Sequence, residues 1–263
     1  MPRKVADVTS IGILSGMRER SISEERAYDH PAYFHEYVFN QKLPPFQWEI
    51  METLMEGDSN PDNSDVNPLL ILAPRNHGKT ALAGESFPLW KVGRNRLELV
   101  QIISSVISLA VERMGKIESC IRFNERYRQM FGNLYPDSPD FTWKTDRFEV
   151  VRDRTQAWES GDIQRDATFA AFGITTSVEG GRATLQVYDD VVSFENSQSD
   201  TNRSNISSKF WMSFDPMLMP KGQQIFLGTR FHYDDLYAEL IPIFDTERLY
   251  TDLYPTVLES SHV

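Results

Sequence analysis

The sequence predicts an α/β domain built on a mainly parallel sheet flanked by helices. Three observations lead there. The run Leu69-Leu70-Ile71-Leu72-Ala73 is apolar without a break, and a turn and then a helical pattern follow it. Further short apolar runs alternate with helical patterns through most of the chain. The run at 69–73 is continuous rather than alternating, which suits a strand buried on both faces.

Taken in order, residues 1–30 are polar and charged apart from a short apolar patch at 11–14, so a mobile or partner-dependent arm is expected. Pro44-Pro45 precede Phe46, Ile50, Leu54 and Met55, which recur at helical spacing and predict a helix. Residues 57–68 hold a single aliphatic side chain and read as a loop. A strand over 69–73, a turn over 74–78 and a helix over 79–91 come next. Residues 97–104 predict a second strand. Val106, Ala110, Met114, Ile117 and Ile121 mark one face of a long helix ending near Gly132. A loop over 133–143 leads to strands at 147–151 and 168–172. A flexible loop over 177–182, a strand over 184–188 and a helix over 197–213 follow. A strand over 224–227 leads through Gly228-Thr229-Arg230 to a short helix at 234–240. There is no internal repeat, heptad run or low-complexity tract.

Composition narrows the function classes. At 263 residues the chain makes one large domain, or one domain with extensions. Hydrophobic residues at 40% suffice for a sizeable core. The net charge of −11 argues against a broad nucleic-acid-binding face, so any such contact is local or supplied by another chain. The single cysteine, Cys120, excludes an internal disulfide, fits a reducing compartment and reads as a small buried hydrophobe. No His/Cys cluster has zinc-ligand spacing. The N-terminus lacks the apolar stretch of a secretion signal, and no apolar run approaches the roughly 20 residues of a membrane helix. A cytoplasmic protein with no membrane contact is expected.

Residues 73–80 read Ala73-Pro74-Arg75-Asn76-His77-Gly78-Lys79-Thr80, a match to the P-loop pattern except that Ala73 replaces the first glycine. A strand ends there, the backbone turns so that its N–H groups converge, and a helix begins, its dipole favouring an anion. Arg75, Asn76, His77, Gly78, Lys79 and Thr80 thus form a candidate nucleotide-binding loop. Gly78 permits close approach to phosphate, Lys79 supplies a point charge, and His77 contributes its backbone N–H. The Thr80 hydroxyl is a candidate magnesium ligand. Arg75 is a candidate for spreading transition-state charge over the γ-phosphate, against the plainer reading of a surface cation.

Far downstream, Leu185-Gln186-Val187-Tyr188-Asp189-Asp190 ends a β-rich run in two carboxylates. With a P-loop upstream, Asp189 is the candidate second holder of Mg²⁺ and Asp190 the candidate base that orients or deprotonates a water. Glu195 is an alternative to Asp190, set against its plainer role near a helix start. Arg182, after Gly180-Gly181, is a second candidate arginine finger. Gln47, upstream of the loop, offers paired donor and acceptor groups to an adenine edge, though alone it is an ordinary surface glutamine. The expected reaction is Mg²⁺-dependent ATP hydrolysis.

Four segments together resemble the large subunit of tailed-bacteriophage terminases, the DNA-packaging motor. Leu43-Pro44-Pro45-Phe46-Gln47 resembles the family's adenine-contacting element, and residues 73–80 its arginine-containing Walker A. Gly181-Arg182 through Asp189-Asp190 resembles the Walker B region, and residues 224–236, running from Gln224 through Gly228-Thr229-Arg230 to Leu236, the coupling motif. The resemblance covers about 43–257. It implies a P-loop ATPase of the additional-strand (ASCE) type, with Thr229 sensing the γ-phosphate; a strand-end turn residue is the plainer reading of Thr229. It further implies double-stranded DNA, a portal protein and a small terminase subunit as partners, a homo-oligomeric ring, and the host cytoplasm as location. The corresponding division is an N-terminal arm and lead-in helix over 1–42, the ATPase domain over 43–257 and the start of a linker over 258–263. The nuclease domain that family members carry beyond that point is not expected from this sequence. A helicase-like P-loop motor, or an assembly module that binds nucleotide with little turnover, are the alternative readings.

Overall fold

The computed structural model describes residues 21–62, 67–73, 77–152, 166–176, 178 and 180–242. Six strands lie in it: β1 (Leu69–Leu72), β2 (Val100–Ser104), β3 (Arg147–Phe148), β4 (Phe169–Gly173), β5 (Ala183–Asp189) and β6 (Leu218–Gly228). They form one sheet in the order β1-β6-β5-β2-β4-β3. Every pairing is parallel except that of β3 with β4. The predicted class therefore holds. The strand leading into the lysine turn, β1, is separated from the strand ending in the acid pair, β5, by an additional strand, β6.

Helices cover both faces. Before the sheet come α1 (Ile22–Asp29), α2 (Pro31–Phe39) and α3 (Pro45–Ser59). A continuous helical segment over 80–94 follows β1; its first part, Thr80–Ser86, is π-helical and the rest is α4 (Phe87–Arg94). After β2 come α5 (Ile107–Phe123) and α6 (Glu125–Phe131). After β5 come α7 (Phe194–Ser197) and α8 (Asp200–Lys209), and after β6 comes α9 (Leu236–Leu240). One sheet face, with Val100, Ile102, Leu185, Val187, Ile225 and Leu227, packs against side chains of α2 to α6 such as Phe34, Leu54, Trp90 and Met114. The opposite face, with Ile103, Tyr188 and Phe226, packs against Ile206, Phe210, Phe214 and Tyr237.

The second face also carries three buried glutamines, Gln101, Gln186 and Gln224. They stand in register on β2, β5 and β6. The Gln224 amide donates to Gln186 Oε1 and the Gln186 amide to Gln101 Oε1, both at 3.0 Å. Each group thus has a partner, which makes a polar rung tolerable inside the core.

Several elements differ from the sequence-based expectation. Residues 22–29, expected in an arm, form α1, closed by a capping box in which Ser21 and Glu24 exchange hydrogen bonds. Ala27 and, from α2, Ala32 and Phe34 sit in the main core. The helix α3 runs on to Ser59, into the expected loop. The helix expected to end near Gly132 breaks at Asn124, whose side chain caps α6 by accepting from Tyr127 N. The helix expected over 197–213 is divided, because Ser199 caps a fresh start at Asp200. The strand at 147–151 shrinks to two residues, and the one at 224–227 grows to eleven. Residues 1–20 and 243–263, including the expected linker, lie outside the described residues, as do 177 and 179 of the expected flexible loop.

Candidate functional site

The site forms at the C-terminal ends of the parallel strands. Gly78 takes φ +78, a left-handed conformation that glycine adopts without strain. An added Cβ there would lie 2.6 Å from Gln47 Nε2, so the end of that glutamine side chain would have to shift. Gln47 comes from the first turn of α3 and donates to the His77 carbonyl at 3.0 Å. That placement brings the upstream glutamine against the loop, with its amide donor engaged by the loop backbone. Lys79 follows, 5% exposed, and Thr80 opens the π-helical turn. Single π turns often mark functional positions. Arg75 and Asn76 lie outside the described residues.

The acid pair meets these residues. Thr80 Oγ1 donates to Asp189 Oδ1 at 2.8 Å. Asp189 ends β5 and is 2% exposed. Its other oxygen, Oδ2, accepts from Arg113 Nε on α5 at 3.1 Å. Asp190 leaves the strand in a left-handed conformation, φ 49, and its N–H donates to Leu227 O on β6 at 2.8 Å. Aspartate tolerates that region better than most side chains. The turn leaves Asp190 Oδ1 3.8 Å from Lys79 Nζ. Magnitudes separate the two ion pairs. Asp190 is 42% exposed, so its pair with Lys79 is screened and contributes about 1 kcal/mol or less. The Arg113–Asp189 pair is largely buried, and breaking such a pair costs about 3–5 kcal/mol.

Burial would lower the Arg113 pKa. The hydrogen bond to Asp189 and the charges of Asp189, Glu112 and Glu85 outweigh it and raise the value, so the guanidinium stays charged. Burial pushes the Glu85 carboxyl up, against the opposing pull of Lys116 and Arg113. At the end of β6, Gly228 lets Tyr237 come close; a Cβ there would sit 2.2 Å from the phenol oxygen. Burial foremost, with the Asp190, Asp235 and Asp189 charges adding, holds that phenol well above its usual range, as a neutral donor.

These features fit a Mg²⁺-bound nucleotide. Among the described residues, the only ion-pair partner of the buried Lys79 ammonium is Asp190 at 3.8 Å. A buried cation so weakly paired favours an incoming anion. Two hydroxyls near Asp189, those of Ser104 and Thr229, are buried without a hydrogen-bond partner among the described residues. No cluster of three or more His, Cys, Asp or Glu side chains forms a metal cage among them. The hydroxyl and carboxylate oxygens of Thr80 and Asp189, 2.8 Å apart, are hard donors of the kind Mg²⁺ takes alongside phosphate and water.

A search of family models finds no match, and no curated protein matches in sequence. Among solved structures, the fold is similar to the large terminase of bacteriophage HK97, with a TM-score of 0.51, 13% sequence identity, and coverage of 83% of this chain and 40% of that one. The fold is terminase-like. The chain spans less than half the length of that protein.

Not every predicted residue joins the cluster. In this terminase-like fold Arg182 precedes β5, whereas Asp189 ends it. Seven residue steps along a strand separate them by about 23 Å. Arg182 pairs with Asp166 at 3.0 Å, beside a cavity of about 430 Å³ also lined by Gln101, Arg147 and Glu149. That cavity and Arg182 lie at the opposite end of β5 from Asp189 and its partner Thr80. Glu195 is exposed in the first turn of α7, inside a capping box formed by Ser193 and Asn196. Thr229 lies one residue beyond Gly228, at the site end of β6. Arg113, Tyr237 and Ser104 were not singled out by the sequence. Cys120 is buried, which pushes its thiol up to about 12.

Proposed function

We propose that this chain is the ATP-hydrolysing motor domain of a viral terminase, packaging double-stranded DNA into a procapsid. The observation that carries the reading is the meeting of Lys79 and Thr80 with Asp189 and Asp190 across an inserted strand. Lys79 and the backbone N–H groups of residues 75–80 bind the phosphates. Thr80 and Asp189 hold Mg²⁺, which when bound neutralises phosphate charge during transfer. Asp190 takes the proton of the attacking water, supported by its exposure and its place beside Lys79; Glu195 is the alternative carboxylate. Arg75 stabilises charge in the transition state, with Arg182 as the second candidate arginine finger. Gln47 holds the loop and reads the base, and Thr229 senses the γ-phosphate. The working form is a homo-oligomeric ring on a portal protein, assisted by a small terminase subunit in the host cytoplasm. The ATPase domain spans 43–257 with α1 and α2 as its lead-in. The net charge of −11 is consistent with a DNA grip that is local or shared among subunits.

The test is phosphate release by the purified chain with ATP and Mg²⁺, with and without portal protein or small subunit, beside a forked-duplex unwinding assay. Mg²⁺-dependent release stimulated by the packaging partners is expected. Absence of nucleotide binding overturns the reading, and unwinding without stimulation moves it to the helicase-like class.

A further inference from the structure

We infer that Arg113 is a positioning residue for the metal-binding carboxylate, an inference that rests on the nucleotide-site reading above. Asp189 has two carboxylate oxygens, each with one side-chain partner. Oδ1 faces Thr80 Oγ1 at 2.8 Å and Oδ2 faces Arg113 Nε at 3.1 Å. With Oδ2 engaged, rotation about the Asp189 side chain is arrested and Oδ1 is held toward Thr80. The guanidinium is itself braced. Its Nη1 donates to Glu112 at 2.9 Å. Lys116, one helical turn along α5, binds Glu85 at 3.1 Å. Glu85 stands on the same helical segment as Thr80. So α5 and the segment that carries Thr80 are tied to each other and to β5 by one charged network.

Removing Arg113 has two opposed effects on a cation at Thr80 and Asp189. One positive charge disappears, which favours the metal. The carboxylate loses its orientation, which disfavours it. Glu112 and Glu85 lie beside Arg113 and offset much of its field at a distance, so the orientation effect prevails. Partners that orient a ligating group typically set metal affinity by 10–100-fold, roughly the effect expected here.

The experiment measures Mn²⁺ binding to the full chain by electron paramagnetic resonance, with a non-hydrolysable ATP analogue present. Analogue binding in EDTA is measured alongside. Arg113→Met is expected to weaken Mn²⁺ binding by at least about tenfold, on the scale set by such orienting partners, while metal-free analogue binding stays within twofold. Should that variant not fold, Arg113→Lys, which keeps the charge without the fixed fork, is expected to weaken Mn²⁺ binding about threefold or more. Mn²⁺ affinity equal to wild type in a folded variant overturns the inference and leaves the nucleotide site standing. Equal losses of Mn²⁺ and metal-free analogue binding also overturn it, because they describe general disruption. A wild-type chain that binds neither analogue nor metal overturns the nucleotide-site reading, and this inference with it.

Discussion

The two ends of β5 are a few residues apart in sequence and unlike in every physical respect. At its C-terminal end Asp189 is buried and shared between Thr80 and Arg113, and Asp190 stands beside a buried lysine. At its N-terminal end the exposed Arg182 pairs with a half-buried Asp166. Both ends carry charged residues that a sequence motif joins into one segment. Only the first is a converging site, because parallel strands deliver their following loops, and the side chains on them, to a single edge of the sheet. Exclusion of water strengthens the buried Arg113–Asp189 pair, whereas water reaches Asp190 and the Arg182–Asp166 pair and weakens their interactions.

That contrast is open to attack by substitution, beginning where the largest effect is expected. Lys79→Ala should lower ATP turnover on the order of 10³-fold with the circular dichroism spectrum unchanged, as for other preorganised groups facing developing charge. Turnover near wild type would show that the buried end is not the reactive one. Asp190→Asn should cost about 10²-fold in kcat, as expected for a general base, and at least about tenfold more than Glu195→Gln. A reversed ranking in single-turnover assays would transfer the base role to Glu195. Gly78→Ala should lower stability to chemical denaturation by about 1–2 kcal/mol through its left-handed backbone. Adding Gln47→Ala removes the 2.6 Å contact but not the backbone cost, so only part of the loss should return. Arg182→Ala should change stability by less than about 1 kcal/mol, as exposed ion pairs do, with nucleotide affinity of the monomer within twofold of wild type. A tenfold loss of affinity in monomeric protein would erase the distinction between the two ends.

Much of the frame was readable from the chain. Short runs rich in apolar residues gave away β1, β2, β4 and β5, most plainly the unbroken Leu69–Leu72, since a strand buried on both faces has no polar alternation. The pairing of Thr80 with Asp189 followed from the loop pattern and the acid pair. The start of β6 was masked by Pro220-Lys221-Gly222, which reads as a turn; Lys221 does take φ 65 there, yet the strand runs through it. Two helix breaks lay in single capping side chains, Asn124 and Ser199, whose polarity is equally at home on a helix surface. Arg113 left no signal at all. It sits among Glu112 and Lys116 in what looks like an ordinary solvated helix face, and it becomes part of the site only when α5 docks beside β5. Gln47 was noticed for its amide, but its partner, the His77 carbonyl, is a tertiary fact.

The position of β6 has a consequence for how the molecule comes into being. It is the last strand in sequence among the described residues, yet it lies inside the sheet, second from one edge, and fills the gap between β1 and β5. Until it docks, the segment bearing Lys79 and the segment bearing Asp189 have no shared neighbour in the sheet. Contacts this distant in sequence close slowly, after local ones. A nascent chain that has not yet emitted residues 218–228 therefore lacks the strand that brings the Lys79 and Asp189 segments together in the sheet.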